Sequence, residues 1–180
     1  MKKIFLLLAA GLLANAATAQ NYLAVLHDSR MKVLPVVPVK AYGFNLRDVR
    51  ITSGPFKKAM ELDAAYLLEI ESDRLLHRFH ANAGLPVKAE VYGGWEKETI
   101  SGHTLGHYLS ACAMMYASTG DNRFKERTTY IVQELARCQA ARKTGYVGAV
   151  PNEDTVFAQV ARGDIRSRGF DLNGAWVPWY

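Results

Sequence analysis

The fold of this chain is decided by residues 99–120, which read TISGHTLGHYLSACAMMYASTG. The stretch contains no charged side chain, and Ser101 and Gly120 have the residue types expected for the cap and the stop of a helix between them. A helix that is apolar all round is normally buried. We therefore expect this helix to lie deep in an all-helical body larger than these 180 residues, with its polar first turn opening on a pocket.

Amphipathic helices are predicted on both sides of this segment. Ser53-Gly54-Pro55 is a suitable helix start, and apolar residues follow it at helical spacing as far as Ile70. A second short helix, capped by Ser72 or Asp73, carries Leu75, Leu76 and Phe79. On the other side, Asp121 caps a helix with one apolar stripe (Phe124, Ile131, Leu135, Cys138) and charged residues, including Arg127 and Glu134, on its other faces. This alternation predicts an all-α toroid of helix hairpins over residues 53–180, with a two-layer bundle as the alternative.

The two ends of the chain predict different things. Residues 1–19 have the pattern of a signal peptide, with Lys2 and Lys3 before a short apolar run and Ala17-Thr18-Ala19 as the cleavage site. We expect cleavage after Ala19 and a periplasmic or secreted protein without a transmembrane segment. At the other end, residues 176–180 resemble the first turn of another inner helix, so we expect the chain to be a fragment of a longer protein.

Residues 20–52 are predicted to form an extended arm. Val33-Leu34-Pro35-Val36-Val37-Pro38-Val39 is β-branched but interrupted by prolines, which is typical of an edge or extended segment. Apolar and charged residues alternate over residues 44–51, which predicts a strand there.

Charge and cysteine content exclude some classes of function. The formal net charge is +5, and loss of Lys2 and Lys3 with the leader would leave +3. The basic residues are scattered and form no phosphate-binding stripe, so we expect no nucleic-acid partner. Cys112 and Cys138 each lie on the apolar stripe of a predicted helix; two buried small hydrophobic residues are the favoured interpretation, and a disulfide between neighbouring helices is the alternative. Two cysteines without suitably spaced partners predict no metal site.

The two histidines of the uncharged helix are candidate binding residues. His103 and His107 are four residues apart, so they project from one face of the helix at its first two turns. The zinc-protease pattern requires Glu directly after the first histidine, and Thr104 stands there instead. Metal binding is therefore the least favoured interpretation, and two others remain open: hydrogen-bonded core histidines, or the wall of a polar substrate pocket.

Trp95 and Glu96 precede this helix in a glycine-containing loop. An indole face suits the C–H face of a sugar ring, and carboxylates and imidazoles suit its hydroxyl groups. The alternative is that Trp95 plugs the end of the toroid while Glu96 caps a helix. Trp179 and Tyr180 are expected on the same rim as the histidines. The predicted substrate-binding residues are therefore His107, His103, Trp95, Glu96, Trp179 and Tyr180.

Residues 46–180 resemble the N-terminal part of the β-L-arabinofuranosidase glycoside hydrolases of families 127 and 146. The resemblance rests on these motifs: Asp73-Arg74-Leu75-Leu76, Ala83-Gly84-Leu85, Gly93-Gly94-Trp95-Glu96, Ser101-Gly102-His103 through Ser110-Ala111, Gly145-Tyr146, and Asn173-Gly174-Ala175-Trp176-Val177-Pro178-Trp179-Tyr180. The combination over this length is specific, whereas each motif alone is weak.

The resemblance implies an (α/α)6 barrel followed by β-domains. It also implies a zinc-bound cysteine thiolate as nucleophile and a separate Glu as acid/base, both beyond Tyr180 and neither matched by Cys112 or Cys138. We therefore expect zinc in the full-length protein but not in this segment, whose part would be the sugar-binding wall. The implied function is removal of β-L-arabinofuranosyl residues from plant glycans, by the full-length protein and not by this segment alone. The alternatives are another (α/α)6 carbohydrate enzyme, such as a glucuronyl hydrolase or a lyase, and a non-catalytic glycan-binding module.

Overall fold

The computed structural model describes residues 32–33, 36–37, 43–97 and 100–163, and the chain divides into two units, Met1–Gly43 and Phe44–Tyr180. In the first unit Val33, Val36 and Val37 are exposed. The signal peptide predicted for residues 1–19 lies outside the described residues and stays a prediction.

The described part of the second unit is all-α, as predicted, and contains no strand. Its five α-helices and two 3-10 helices are, in chain order, the 3-10 helix Leu46–Asp48, α1 (Pro55–Glu69), α2 (Ser72–Asn82), the 3-10 helix Gly94–Glu96, α3 (His103–Thr119), α4 (Asn122–Arg142) and α5 (Glu153–Ala161). The closed ring of the predicted toroid would need more helices than these, so it stays a prediction.

The strand predicted for residues 44–51 is wrong. The Asn45 side chain accepts a hydrogen bond from the Arg47 backbone N–H at 3.0 Å, and Leu46–Asp48 forms a 3-10 helix that contacts α3. Such a local side-chain bond competes with extended structure. No described strand is available to pair with this segment, so the turn is the conformation that satisfies its backbone.

Three predicted helix boundaries are confirmed. Pro55 is the first residue of α1, and α3 ends at Gly120, which takes the left-handed conformation at φ 76° and donates its N–H to the Tyr116 carbonyl at 2.8 Å. The Asp121 carboxylate accepts a hydrogen bond from the Arg123 N–H at 3.0 Å and caps α4. α4 ends at Arg142, slightly earlier than the predicted stop at Gly145.

The core lies where α2, α3 and α4 meet, and it is formed mainly by Leu75, Leu76, Phe79, Leu105, Tyr108, Cys112, Phe124, Ile131 and Cys138. Both cysteines are buried free thiols, which confirms the favoured interpretation. α3 and α4 are joined by a short turn, so Cys112 lies opposite a residue near position 129 of α4. Cys138 is then displaced by about 13 Å along the helix, too far for a disulfide.

Arg127 of α4 forms hydrogen bonds to both α1 and α3. Its Nη1 donates to the carbonyl oxygens of Leu67 at 3.1 Å and of Ile70, and to the Tyr108 hydroxyl at 2.8 Å; its Nη2 donates to the Leu68 carbonyl at 3.1 Å. A guanidinium therefore satisfies the carbonyl groups at the C-terminal end of α1, which a helix end leaves without partners. Burial raises the pKa of Tyr108 to about 12, so its hydroxyl stays protonated and donates to the Leu67 carbonyl.

The described helices surround α3 on only part of its circumference, so its burial on every side stays a prediction for the larger helical body expected around it. α1, α2 and α4 contact α3 and bury Leu105, Tyr108 and Cys112, but they leave one uncharged face exposed. The exposed residues of that face are His103, Thr104, Gly106, His107, Ser110, Ala113 and Met114. The apolar stripe predicted for α1 is likewise uncovered at its start, where Phe56 is 77% exposed. The two histidines therefore lie on an open surface.

Candidate functional site

α2 holds the loop that carries Trp95 and Glu96. Three of its side chains donate hydrogen bonds to backbone carbonyl groups of this loop: Arg74 to Glu90 at 3.1 Å, His77 to Ala89 at 2.7 Å and Arg78 to Lys97 at 2.8 Å. Residues three or four apart share a face of a helix, so one face of α2 makes all three contacts. The loop is thereby fixed along its length although it contains no long helix or strand.

A buried carboxylate fixes the same loop from the side of α4. Glu134 accepts hydrogen bonds from His80 at 2.8 Å, from Lys88 of the loop at 3.0 Å and from Arg137 at 2.7 Å. Burial alone would raise the pKa of Glu134, but these three donors together lower it to about 2. Lys88 also donates to the Tyr130 hydroxyl at 2.8 Å. The cluster joins α2, α4 and the loop around one permanent negative charge.

The sequence prediction for Glu134 was wrong. It assigned this residue to the solvent-facing sides of α4, whereas the side chain is 5% exposed. The spacing of Phe124, Ile131, Glu134 and Cys138 is that of a single helix face, so the signal was present in the sequence. The charge of Glu134 argued against burial, because a carboxylate is expected to be exposed to water unless hydrogen-bond donors for it are known.

Glu96 lies at the start of α3 and caps it. Its Oε2 accepts from the Gly102 N–H at 2.8 Å and its Oε1 from the Thr104 N–H at 3.0 Å, and the side chain is 5% exposed. The cap predicted at Ser101 is wrong, because the Ser101 hydroxyl donates instead to the Glu96 carbonyl at 2.5 Å. A negative charge is favourable at a helix N-terminus. Of the two interpretations left open for Glu96, the structure supports helix capping.

His103 and His107 contact each other on the exposed face of α3. Their Nε2 atoms are 3.1 Å apart, and the rings meet edge to face with centroids 4.6 Å apart. In such a pair one Nε2 donates and the other accepts, so one ring is the donor tautomer. Both side chains are exposed in the described part of the chain, and the choice between core and pocket histidines stays open. They provide imidazole groups that a bound polar molecule can reach.

The other predicted binding residues are placed differently. Trp95 is 62% exposed and does not line the cleft that Glu96 lines. Trp179 and Tyr180 lie outside the described residues, and their predicted place on the rim stays a prediction. The structure therefore brings together the Glu96 carboxylate and the first turn of α3, and the two histidines with each other.

A cleft of about 420 Å³ opens beside the start of α3. Its walls are the C-terminal half of α1, with Tyr66 and Glu69, the loop at Tyr92, the Glu96 carboxylate and Thr104 of α3. We call it the Tyr66–Tyr92 cleft. Sequence reasoning missed this cleft, because it is formed by residues far apart in the chain that only the packing of α1 against α3 brings together.

A larger cleft of about 760 Å³ lies between the start of α2 and α4, but its cations are already engaged. Lys88 is bound to Glu134, Arg123 forms an ion pair with Asp121 at 2.6 Å, and Arg127 is bound to carbonyl groups. A ligand there would have to compete with these contacts. We therefore do not regard it as the functional site.

The described residues do not fit the zinc centre that the family resemblance implies. No group of three or more His, Cys, Asp or Glu side chains converges within the described part of the chain, and a protein zinc site normally uses at least three ligands. Burial raises the pKa of the Cys112 and Cys138 thiols, which opposes formation of the thiolate that binds a metal. Zinc therefore stays an expectation from the resemblance alone.

A model of a known protein family matches most of this chain. A family model described as "Beta-L-arabinofuranosidase, GH127 catalytic domain" matches residues 48–180, which is well over half of the chain. No curated protein matches the chain. The matched region includes all of α1 to α5 and every residue of the site described above. The chain therefore belongs to the GH127 β-L-arabinofuranosidase catalytic-domain family of glycoside hydrolases.

Proposed function

We propose that the protein is an exported glycosidase that removes β-L-arabinofuranosyl residues from plant glycans. Membership of the GH127 family supports glycoside hydrolysis and a glycan substrate. The structural observation that supports the proposal is the arrangement of groups at the start of α3. There an anchored loop, an exposed histidine pair and an uncharged helix face lie together.

The proposed role of the described residues is to hold the sugar. His103 and His107 would exchange hydrogen bonds with sugar hydroxyl groups, and the exposed Trp95 offers an indole face for stacking. Trp179 and Tyr180 are proposed to complete the same wall. Glu96 is proposed as a positioning residue, because backbone N–H groups occupy both its oxygen atoms. We assign no nucleophile and no acid/base to this chain.

The test is release of L-arabinose from an aryl β-L-arabinofuranoside, measured for the 180-residue chain and for the complete product of its gene. We expect turnover by the complete product and none by the 180-residue chain. Replacement of His107 by Ala should raise KM, with Ala113→Ser on the same exposed helix face as the control. Absence of arabinose release by the complete product would refute the substrate, and turnover by the 180-residue chain would refute the limited role proposed for it.

Zinc and export are proposed for the same protein and have separate tests. Chelation should abolish turnover by the complete product if a zinc-bound thiolate is the nucleophile, whereas a glucuronyl hydrolase or lyase would be unaffected. The mature protein recovered from the periplasm or medium should begin at Gln20, as N-terminal sequencing would show. In the described part of the chain, no helix is long and apolar enough to cross a bilayer.

A further inference from the structure

The Tyr66–Tyr92 cleft combines aromatic walls with polar groups that have no partner among the residues that the structure describes. Tyr66 is 64% exposed, and the Glu69 carboxylate, the Tyr66 hydroxyl and the Thr104 hydroxyl form no hydrogen bond or ion pair with any other described residue. Unengaged hydrogen-bonding groups next to aromatic rings are what a hydroxyl-rich ligand requires.

The second aromatic wall is held rigidly. The Tyr92 hydroxyl accepts a hydrogen bond from the Glu71 N–H at 3.0 Å, and the Arg74 guanidinium lies 3.9 Å from the centre of the Tyr92 ring. Arg74 in turn donates to the Glu90 carbonyl. A ring that is fixed before a ligand arrives loses little conformational entropy on binding. Tyr92 is therefore preorganised, whereas the exposed Tyr66 and Glu69 side chains would be ordered by a ligand.

The charge of the cleft limits the kind of ligand. Of the two carboxylates in its walls, Glu96 is engaged by backbone N–H groups, whereas Glu69 has no cationic partner among the described residues. No Lys or Arg is among the described residues that line the cleft. An anionic ligand would meet the Glu69 charge without compensation, while a neutral hydroxyl group can donate to it. The volume of about 420 Å³ is within the range of small-molecule sites, roughly 300–1,000 Å³.

We propose that the Tyr66–Tyr92 cleft is a sugar subsite that accepts a neutral pentose or hexose unit of a glycan and rejects a uronic acid. The sugar ring stacks on Tyr66 against the fixed Tyr92 wall, and its hydroxyl groups bond to Glu69 and Thr104. The inference rests on the proposed function in one respect, that the glycan cleaved by this protein is the source of the bound sugar. It extends that function by naming a selectivity and the residue that causes it.

The experiment measures binding of L-arabinose and of D-glucuronate to the intact protein by titration calorimetry, with amide chemical shifts as the second measurement. Tyr66→Ala should weaken arabinose binding by about tenfold. Phe56→Ala should not, because Phe56 is a more exposed aromatic residue on the same helix outside the cleft. Glu69→Gln keeps the shape and removes the charge, so glucuronate binding should rise at least fivefold. In the unmodified protein, arabinose should shift the amide signals of Gly93 and Thr104.

Four outcomes test the subsite, its selectivity and the proposed function separately. Equal arabinose affinity of Tyr66→Ala and Phe56→Ala would overturn the subsite even if the protein releases arabinose from glycosides. Glucuronate binding that is unchanged by Glu69→Gln would overturn the selectivity. Arabinose binding that depends on Tyr66, in a protein without arabinosidase activity, would support the subsite and count against the proposed function alone. Shifts at Gly93 and Thr104 support the subsite even if a variant fails to fold.

Discussion

Replacement of Glu96 tests whether this carboxylate holds the start of α3. Its two oxygen atoms accept hydrogen bonds from the Gly102 and Thr104 N–H groups at 2.8 and 3.0 Å. A hydrogen bond to a charged group contributes about 1.5–3 kcal/mol, and loss of a helix cap costs about 0.5–2 kcal/mol. Because Thr104 is exposed, water can replace the carboxylate at its N–H group. We therefore expect Glu96→Ala to lower the free energy of unfolding by about 2.5 kcal/mol, less than the sum for two such bonds.

Urea unfolding followed by circular dichroism measures this change. With a denaturant slope of about 2 kcal/mol per molar urea, the midpoint should fall by roughly 1 M. Glu96→Gln keeps one acceptor oxygen and should lose about half as much. Glu90→Ala is the control, since this carboxylate lies exposed in the same loop and only its backbone carbonyl is bound. A Glu96→Ala midpoint within 0.2 M of the Glu90→Ala midpoint, which is about 0.4 kcal/mol at this slope, would refute the capping role.

The remaining predictions concern charge and packing away from the cleft. The pKa of Glu134 is lowered from 4.5 to about 2 on folding, so its stabilisation is complete above pH 4.5 and is lost as the pH falls towards 2. The difference in urea midpoint between wild type and Glu134→Gln should shrink over that window. Arg127→Lys keeps the charge but cannot reach several carbonyl groups at once, and should cost about 2 kcal/mol in the same assay. Gly148→Ala should cost about 2 kcal/mol, because a Cβ atom would collide with the Tyr146 hydroxyl and the Glu153 carboxylate.

Local signals in the sequence predicted the helices well. Pro55, Gly120 and Asp121 mark helix ends through effects confined to a few residues, namely a fixed φ, a left-handed conformation and a side-chain cap. For these three residues, the groups that determine the conformation are close in the sequence as well as in space. The all-α class follows from the same signals, because helical spacing of apolar residues persists across each segment.

The sequence failed where the deciding partner is distant. Ser101 has the residue type of a cap, but Glu96 reaches the same N–H groups because α2 holds the preceding loop in place. Glu134 has the residue type of a surface position, but His80 and Lys88 surround it with donors. In both cases a long-range contact replaced the local one. The spacing of Glu134 puts it on the apolar face of α4, but its donors can be identified only once the packing of the helices is known.

Glu96 and Glu69 are two carboxylates that could be given the same role in a glycosidase family. Their hydrogen-bond partners show that the roles differ. Glu96 is buried and both its oxygen atoms are occupied, so it cannot bind a ligand without releasing an N–H group at the start of α3. Glu69 is exposed and has no partner among the described residues, so it can bind a ligand without disturbing a helix. Substitution of Glu96 should therefore reduce sugar binding and stability together, whereas Glu69→Gln should change sugar selectivity at constant stability. Parallel loss of stability in both variants would argue against this division of roles.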